Sequence, residues 1–145
     1  MKIFDIVMVL EYFRPLTYYL SIIRYLGDDY NIGLYAVDIP SRQHDKNIDT
    51  QNLFEKTCTK FGAKIIREEE IQTEILLIPQ NVYTEIARKD INNNIKANKK
   101  IGVLGFAWAG VKVHDEFLDV FAIDKLFVID KSFTTFLLEQ RKVDT

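Results

Sequence analysis

A chain of 145 residues and 17.0 kDa is one domain's worth of protein, and a single α/β domain over 1–145 is expected. At 48% hydrophobic and 28% charged residues it reads as globular, and at this mass about two-thirds of the unfolded surface can be buried. A net charge of −2 lacks the basic excess that phosphate neutralisation requires, so no nucleic-acid partner is expected. One cysteine excludes a disulfide framework and a Cys-based zinc site.

No segment reads as a membrane span. The longest run free of charged residues, Ile101 to Val111, falls well short of the roughly 20 residues a span needs. Asp5 and Glu11 interrupt the apolar N-terminus, leaving too short a core for a secretory signal. A reducing, cytoplasmic location is expected, with the inner face of a membrane as an open option.

The elements follow in chain order. Ile6 to Leu10 is an apolar run that suits a strand covered on both faces. Pro15 fits the first turn of a helix. Leu16, Tyr19, Leu20, Ile23 and Leu26 then recur at helical spacing, and Gly27 ends them. Ile32 to Val37 predicts a second strand, and Ser41 to Asp49 a polar loop. Thr50 caps a helix whose inner face is Leu53, Phe54, Thr57, Cys58 and Phe61, with Gly62 as its stop.

Lys64 to Ile66 is a short third strand. Glu68, Glu69 and Glu70 read as a solvated turn. Glu74 to Ile78 is a fourth strand, stopped by Pro79. Tyr83, Ile86, Ala87, Ile91 and Ile95 form a helical stripe, weakened at its end by Asn92, Asn93 and Asn94. Ile101 to Leu104 is a fifth strand, Glu116 to Phe121 a short helix and Leu126 to Ile129 a sixth strand. Ser132 caps a last helix with Phe133, Phe136 and Leu137 inward. Strands alternating with helices require crossovers, which predicts a three-layer Rossmann-like domain with a mostly parallel sheet of about six strands.

In such a sheet, ligands bind beyond the carboxyl ends of the strands, near the switch in strand order. This selects Glu11 to Arg14, Asp38 to Asp45, Gln80 to Tyr83, Gly105 to His114, and Asp130 to Ser132. The first of these loops contains no glycine. A dinucleotide fold needs glycines there for close approach to a pyrophosphate, and no phosphate-cradling Gly-rich loop occurs elsewhere. No cofactor is therefore expected.

Glu11 is a candidate general base at a cleft mouth, against a reading as a surface carboxylate beside a helix end. Arg14 either pairs with Glu11 or meets an anionic ligand. His114 and Asp115 follow the glycine-bearing segment, and a histidine there titrates near neutral pH. His44 beside Asp45 reads as an oriented base or as solvated loop. The two histidines are too far apart in sequence to suggest a metal site. Trp108 is a platform for a sugar or base, or a core anchor of its loop. Cys58 and the tyrosines Tyr12, Tyr18, Tyr19 and Tyr25 read as packing residues.

This arrangement resembles the amino-terminal, acceptor-side half of a GT-B glycosyltransferase, down to the closing strand and helix from Asp124 to Phe136. The segment Trp108, Ala109, Gly110, Val111 and Lys112 is similar to a Trp-His-Gly…Lys element of CDP-glycerol glycerophosphotransferase-like enzymes, with Ala109 in the histidine's place. The resemblance implies an acceptor-side domain of a glycosyl- or polyol-phosphate transferase in cell-surface polysaccharide synthesis. Glu11 and His114 would be its bases. Arg14, Trp108, Gly110 and Lys112 would contact a small-molecule or glycan acceptor. In that family the donor sits in a second half, so a donor-binding partner or a further half is implied, and the apolar last helix would dock on it. The alternative is a non-catalytic binding or assembly module. A small flavodoxin-like enzyme is a third reading, with no motif behind it.

Overall fold

The computed structural model describes residues 1–11, 17–37, 48–67, 69–79, 85–104 and 118–128. The elements run β1 (Lys2–Glu11), α1 (Thr17–Leu26), β2 (Ile32–Val37), α2 (Ile48–Lys60), β3 (Lys64–Ile66), β4 (Ile71–Pro79), α3 (Glu85–Asn94), β5 (Ile95–Leu104) and β6 (Lys125–Val128). A helical turn at 118–121 precedes β6. The strands form one sheet in the order β3-β2-β1-β4-β5-β6, and every pair in it is parallel. This is the three-layer Rossmann-like arrangement, with helices on both faces.

The layers follow from which side chains each strand turns to which face. Ile6, Met8 and Leu10 of β1 join Ile32 and Leu34 of β2 under α1 (Tyr19, Ile23) and α2 (Phe54, Cys58). Val7 and Val9 point the other way. They join Tyr35, Leu76 and Ile78 in a cluster with α3 (Ala87, Ile91), Phe121 and Leu126. Each fully buried side chain of this size contributes about 1.5–3 kcal/mol, so the apolar run in β1 serves both cores at once.

Helix ends are closed by local geometry. Gly62 has φ +101°. Its N–H bonds the Thr59 carbonyl at 3.0 Å, and the Ala63 N–H bonds that of Cys58 at 3.1 Å. This is a Schellman cap, which needs a left-handed residue at that point. The turn at 118–121 closes the same way, with Ala122 N–H on Asp119 and Ile123 N–H on Leu118. Here the left-handed position is held by an alanine, with φ 49°.

The sheet has one break in its pleat. Pairing skips Asp5 against Glu74, and Glu74 against Asn98, while register continues on either side. At this row the N–H groups of Asp5 and Ile6 both bond the Asn31 carbonyl, at 3.0 and 3.4 Å. Phe4 and Val7 consequently face the same core although they are an odd three positions apart. The same slip separates Ile71 from Leu76. Polar side chains satisfy the row from outside. The Asp5 carboxylate accepts the Asn31 N–H at 2.7 Å, and Glu74 takes the Asn98 amide on both oxygens at 2.8 Å.

The N-terminal rows lean toward β3. Gly33 pairs with Val7, yet a Cβ at Gly33 would lie 3.1 Å from the Phe4 ring and 2.6 Å from Ile66 Cδ1. The glycine provides the space for that lean. The β3–β4 link is correspondingly short, residues 67–70, and its two ends, Ile66 and Ile71, share one core. Glu69 ties the link to Lys2 at 2.7 Å.

Several expectations change. Ile95 does not belong to the α3 stripe. It opens β5 directly after Asn94, because Ile95 and Ala97 point inward while Lys96 and Asn98 are exposed, a strand period and not a helical one. β1 and β4 likewise begin earlier than their apolar runs, at Lys2 and Ile71. Leu53 and Ile86 are exposed at 66% and 60%, because the buried stripes run through Phe54 and Cys58, and through Ala87 and Ile91. Tyr25, read as packing, is 85% exposed.

Ala122→Gly removes the left-handed penalty of a Cβ. It is expected to raise unfolding free energy by about 1 kcal/mol in urea denaturation, with the m-value unchanged.

Candidate functional site

Because the strands are parallel, the chain leaves them at one common edge. Glu11, Val37, Pro79, Leu104 and Val128 are the last residues of β1, β2, β4, β5 and β6. The strand order reverses between β1 and β4, with β2 and β3 on one side and β5 and β6 on the other. Connections there leave on opposite faces, which opens a crevice at a topological switch point.

The β1–β4 ladder ends short of the strand tips at this switch point. The last β1–β4 pair is Met8 with Leu77. Beyond it, Val9, Leu10 and Glu11 pair only with β2, and Ile78 and Pro79 only with β5. Pro79 has no N–H to offer β1. Val9, one residue past the last pair, gives its carbonyl to the Tyr19 hydroxyl, which donates at 2.7 Å from inside the core. Tyr19 thus fixes the start of α1 to the floor of the crevice.

Of the residues singled out from sequence, the structure places Glu11. It ends β1, paired with Val37 of β2, at the rim of this crevice. Arg14, Trp108, Gly110, Lys112 and His114 lie outside the described residues, as do His44, Asp45 and Ser132. Among the described residues no group of three or more His, Cys, Asp or Glu side chains is arranged to hold a metal ion. Among them, too, no helix is long and apolar enough to cross a membrane.

Two structural features near this edge escaped the sequence reading. Tyr19 looked like packing alone, and nothing in its spacing reveals a bond to Val9. Arg88 lies near the start of α3, the helix that follows β4 from this same edge. Its Nε is buried and has no hydrogen-bond partner among the described residues.

Cys58 is the expected core residue, fully buried on the inner face of α2 in the core that helix shares with α1. Burial pushes its thiol up to about 11, and the nearby Glu55 carboxylate adds to the shift. Glu55 in turn pairs with Arg67, just past β3. A thiol held protonated is a poor nucleophile, which fits a packing role for Cys58.

Comparison with protein-family models, with curated proteins and with solved structures gives no match. The functional reading therefore rests on the geometry and on the residues themselves.

Two measurements check this description. Tyr19→Phe leaves the Val9 carbonyl without its donor and is expected to cost about 1–2 kcal/mol in chemical denaturation. For Cys58, the folded thiol binds its proton more tightly than the unfolded one. Its contribution to stability is therefore full below about pH 9 and is lost as pH rises toward about 11. Native protein is expected to resist thiol labelling at pH 8 and to react fully once denatured. A steeper alkaline stability loss in wild type than in Cys58→Ala reports the linkage.

Proposed function

We propose that the chain is a ligand-binding α/β domain whose site is the crevice between β1 and β4, acting as the acceptor-side half of a glycosyl- or polyol-phosphate transferase. The observation that carries this reading is the end of the β1–β4 ladder at Met8 and Leu77, at the switch in strand order, with Glu11 ending β1 beyond it. A carboxylate at that position is suited to take the proton of an acceptor hydroxyl as it attacks. The Arg88 donor beyond β4 suits a phosphate on the same acceptor. The glycine-free loop after β1 disfavours a dinucleotide in this crevice, which assigns the nucleotide-linked donor to a partner or a further half.

In this scheme His114 shares or relays the proton, and Trp108 with Gly110 and Lys112 holds the acceptor. The likeness of the 108–112 segment to polyol-phosphate transferases supports those roles. A cytoplasmic setting, at the inner face of a membrane, suits a chain that hands acceptors to a surface-polymer pathway.

Thermal shift tests the binding half of the proposal. A polyol phosphate or short glycan acceptor at 100 times its dissociation constant is expected to add about 2.7 kcal/mol, or roughly 6–10 °C, while nucleotide sugars alone add nothing. With a donor-binding half supplied, Glu11→Gln is expected to reduce transfer about 10²–10⁴-fold, with acceptor binding retained. A chain that no acceptor stabilises, and whose Glu11→Gln and His114→Ala variants behave as wild type, is a non-catalytic binding or assembly module.

A further inference from the structure

β1 and β4 stop pairing with each other while both strands go on. β1 continues to Glu11 against β2, and β4 to Pro79 against β5, yet Met8 with Leu77 is the last pair between them. Strand length therefore does not set this end.

The direction of the main-chain groups shows what does. The Ile6 N–H bonds the Asn31 carbonyl, on the β2 side. Along a strand in a parallel ladder these groups alternate sides, so those of Val7 and Val9 face β4. The register of Met8 with Leu77 makes Val7 and Val9 bracket Leu77. The Leu77 N–H meets the Val7 carbonyl, and the Val9 N–H meets the Leu77 carbonyl. The rung due next runs from the nitrogen of residue 79 to the Val9 carbonyl. Residue 79 is a buried proline, which has no proton to give. Val9 is itself fully buried, and a carbonyl left without a donor there is costly. The Tyr19 hydroxyl takes the vacant role at 2.7 Å. It is carried on a packed helix, since Tyr19 and Ile23 of α1 are both fully buried in one core.

We propose that Pro79 and Tyr19 act as a stop and a cap that fix where β1 and β4 cease to pair, and that Tyr19 is thereby a positioning residue for the tip of β1, which carries Glu11. The proline withholds the ladder's own donor, and the hydroxyl supplies one from α1. The tip of β1 then takes its placement from α1 and β2 instead of from β4. A shift of α1 is passed to Val9, and so to Glu11 two residues on, while the rungs below Met8 stay as they are. The weight this has for transfer rests on the role proposed above for Glu11; the stop and cap themselves do not.

Restoring the missing N–H tests it. Tyr19→Phe alone is expected to lower the melting temperature by about 5 °C and to speed amide exchange at Leu10 about tenfold, with Val7 little changed. In a Pro79→Ala background the nitrogen of residue 79 carries a proton and the ladder gains its next rung. There Tyr19→Phe is expected to cost at most about half as much by both measures, and the new amide at position 79 to exchange about tenfold more slowly than an unprotected one. Pro79→Val repeats the test with a branched side chain in the space of the ring, which separates the gained rung from a packing defect. An unprotected amide at position 79 in both variants, or Tyr19→Phe losses of equal size with and without the proline, overturns the proposal and assigns the end of the ladder to divergence of the strands. None of these readouts needs an acceptor, so their failure leaves the transferase reading to its own test with Glu11→Gln.

Discussion

The structure depends on β1 being hydrogen-bonded on both sides and buried on both faces. Val7, Met8, Val9 and Leu10 are at most 1% exposed. They are shared between two cores that otherwise have little in common. One core belongs to α1 and α2, the other to α3 and the far strands. A strand in this position cannot alternate polar with apolar residues, since either face would then carry an unpaired polar group away from water. Such continuity is therefore what the position demands. β1 stops pairing with β4 after Met8, and from there Val9 and Ile78 hold the two halves together through side-chain packing in one core.

Much of this was legible in the residues. Ile32–Val37 and Lys64–Ile66 are strands with the bounds their apolar content implies, and Gly62 marks the end of α2 through its required φ. The parallel, helix-crossed architecture follows from the alternation of periods. The N-terminal rows of β1, β4 and β5 were hidden for a physical reason. They are buried on one face only, so Ile71 and Thr73 alternate with exposed Gln72 and Glu74, and a search for continuous apolar runs starts too late. Leu53 and Ile86 misled in the opposite sense, since apolar character beside a stripe does not place a residue on it.

For the site, the switch-point rule selects the carboxyl edge of the sheet, and Glu11 ends β1 on that edge. It did not find Tyr19, because a hydroxyl that bonds a main-chain carbonyl leaves no trace in sequence spacing. Nor did it single out Arg88, which looks like any charged residue on a helix. Trp108, Lys112 and His114 lie outside the described residues, and the roles proposed for them would require their loops to meet, a property of three-dimensional placement that periodicity does not encode.

The slip at Asp5, Glu74 and Asn98 has an evolutionary corollary. Each of the three strands carries the same extra residue at the same level, which is why their ladders stay aligned. Losing that residue from one strand alone would turn its lower half inside out, presenting Lys or Gln to the core while its neighbours kept theirs dry. Length changes at this level are thus coupled. Descendants of this chain can shed the irregularity only by concerted deletion across β1, β4 and β5, so natural drift should preserve it long after the surrounding side chains have changed.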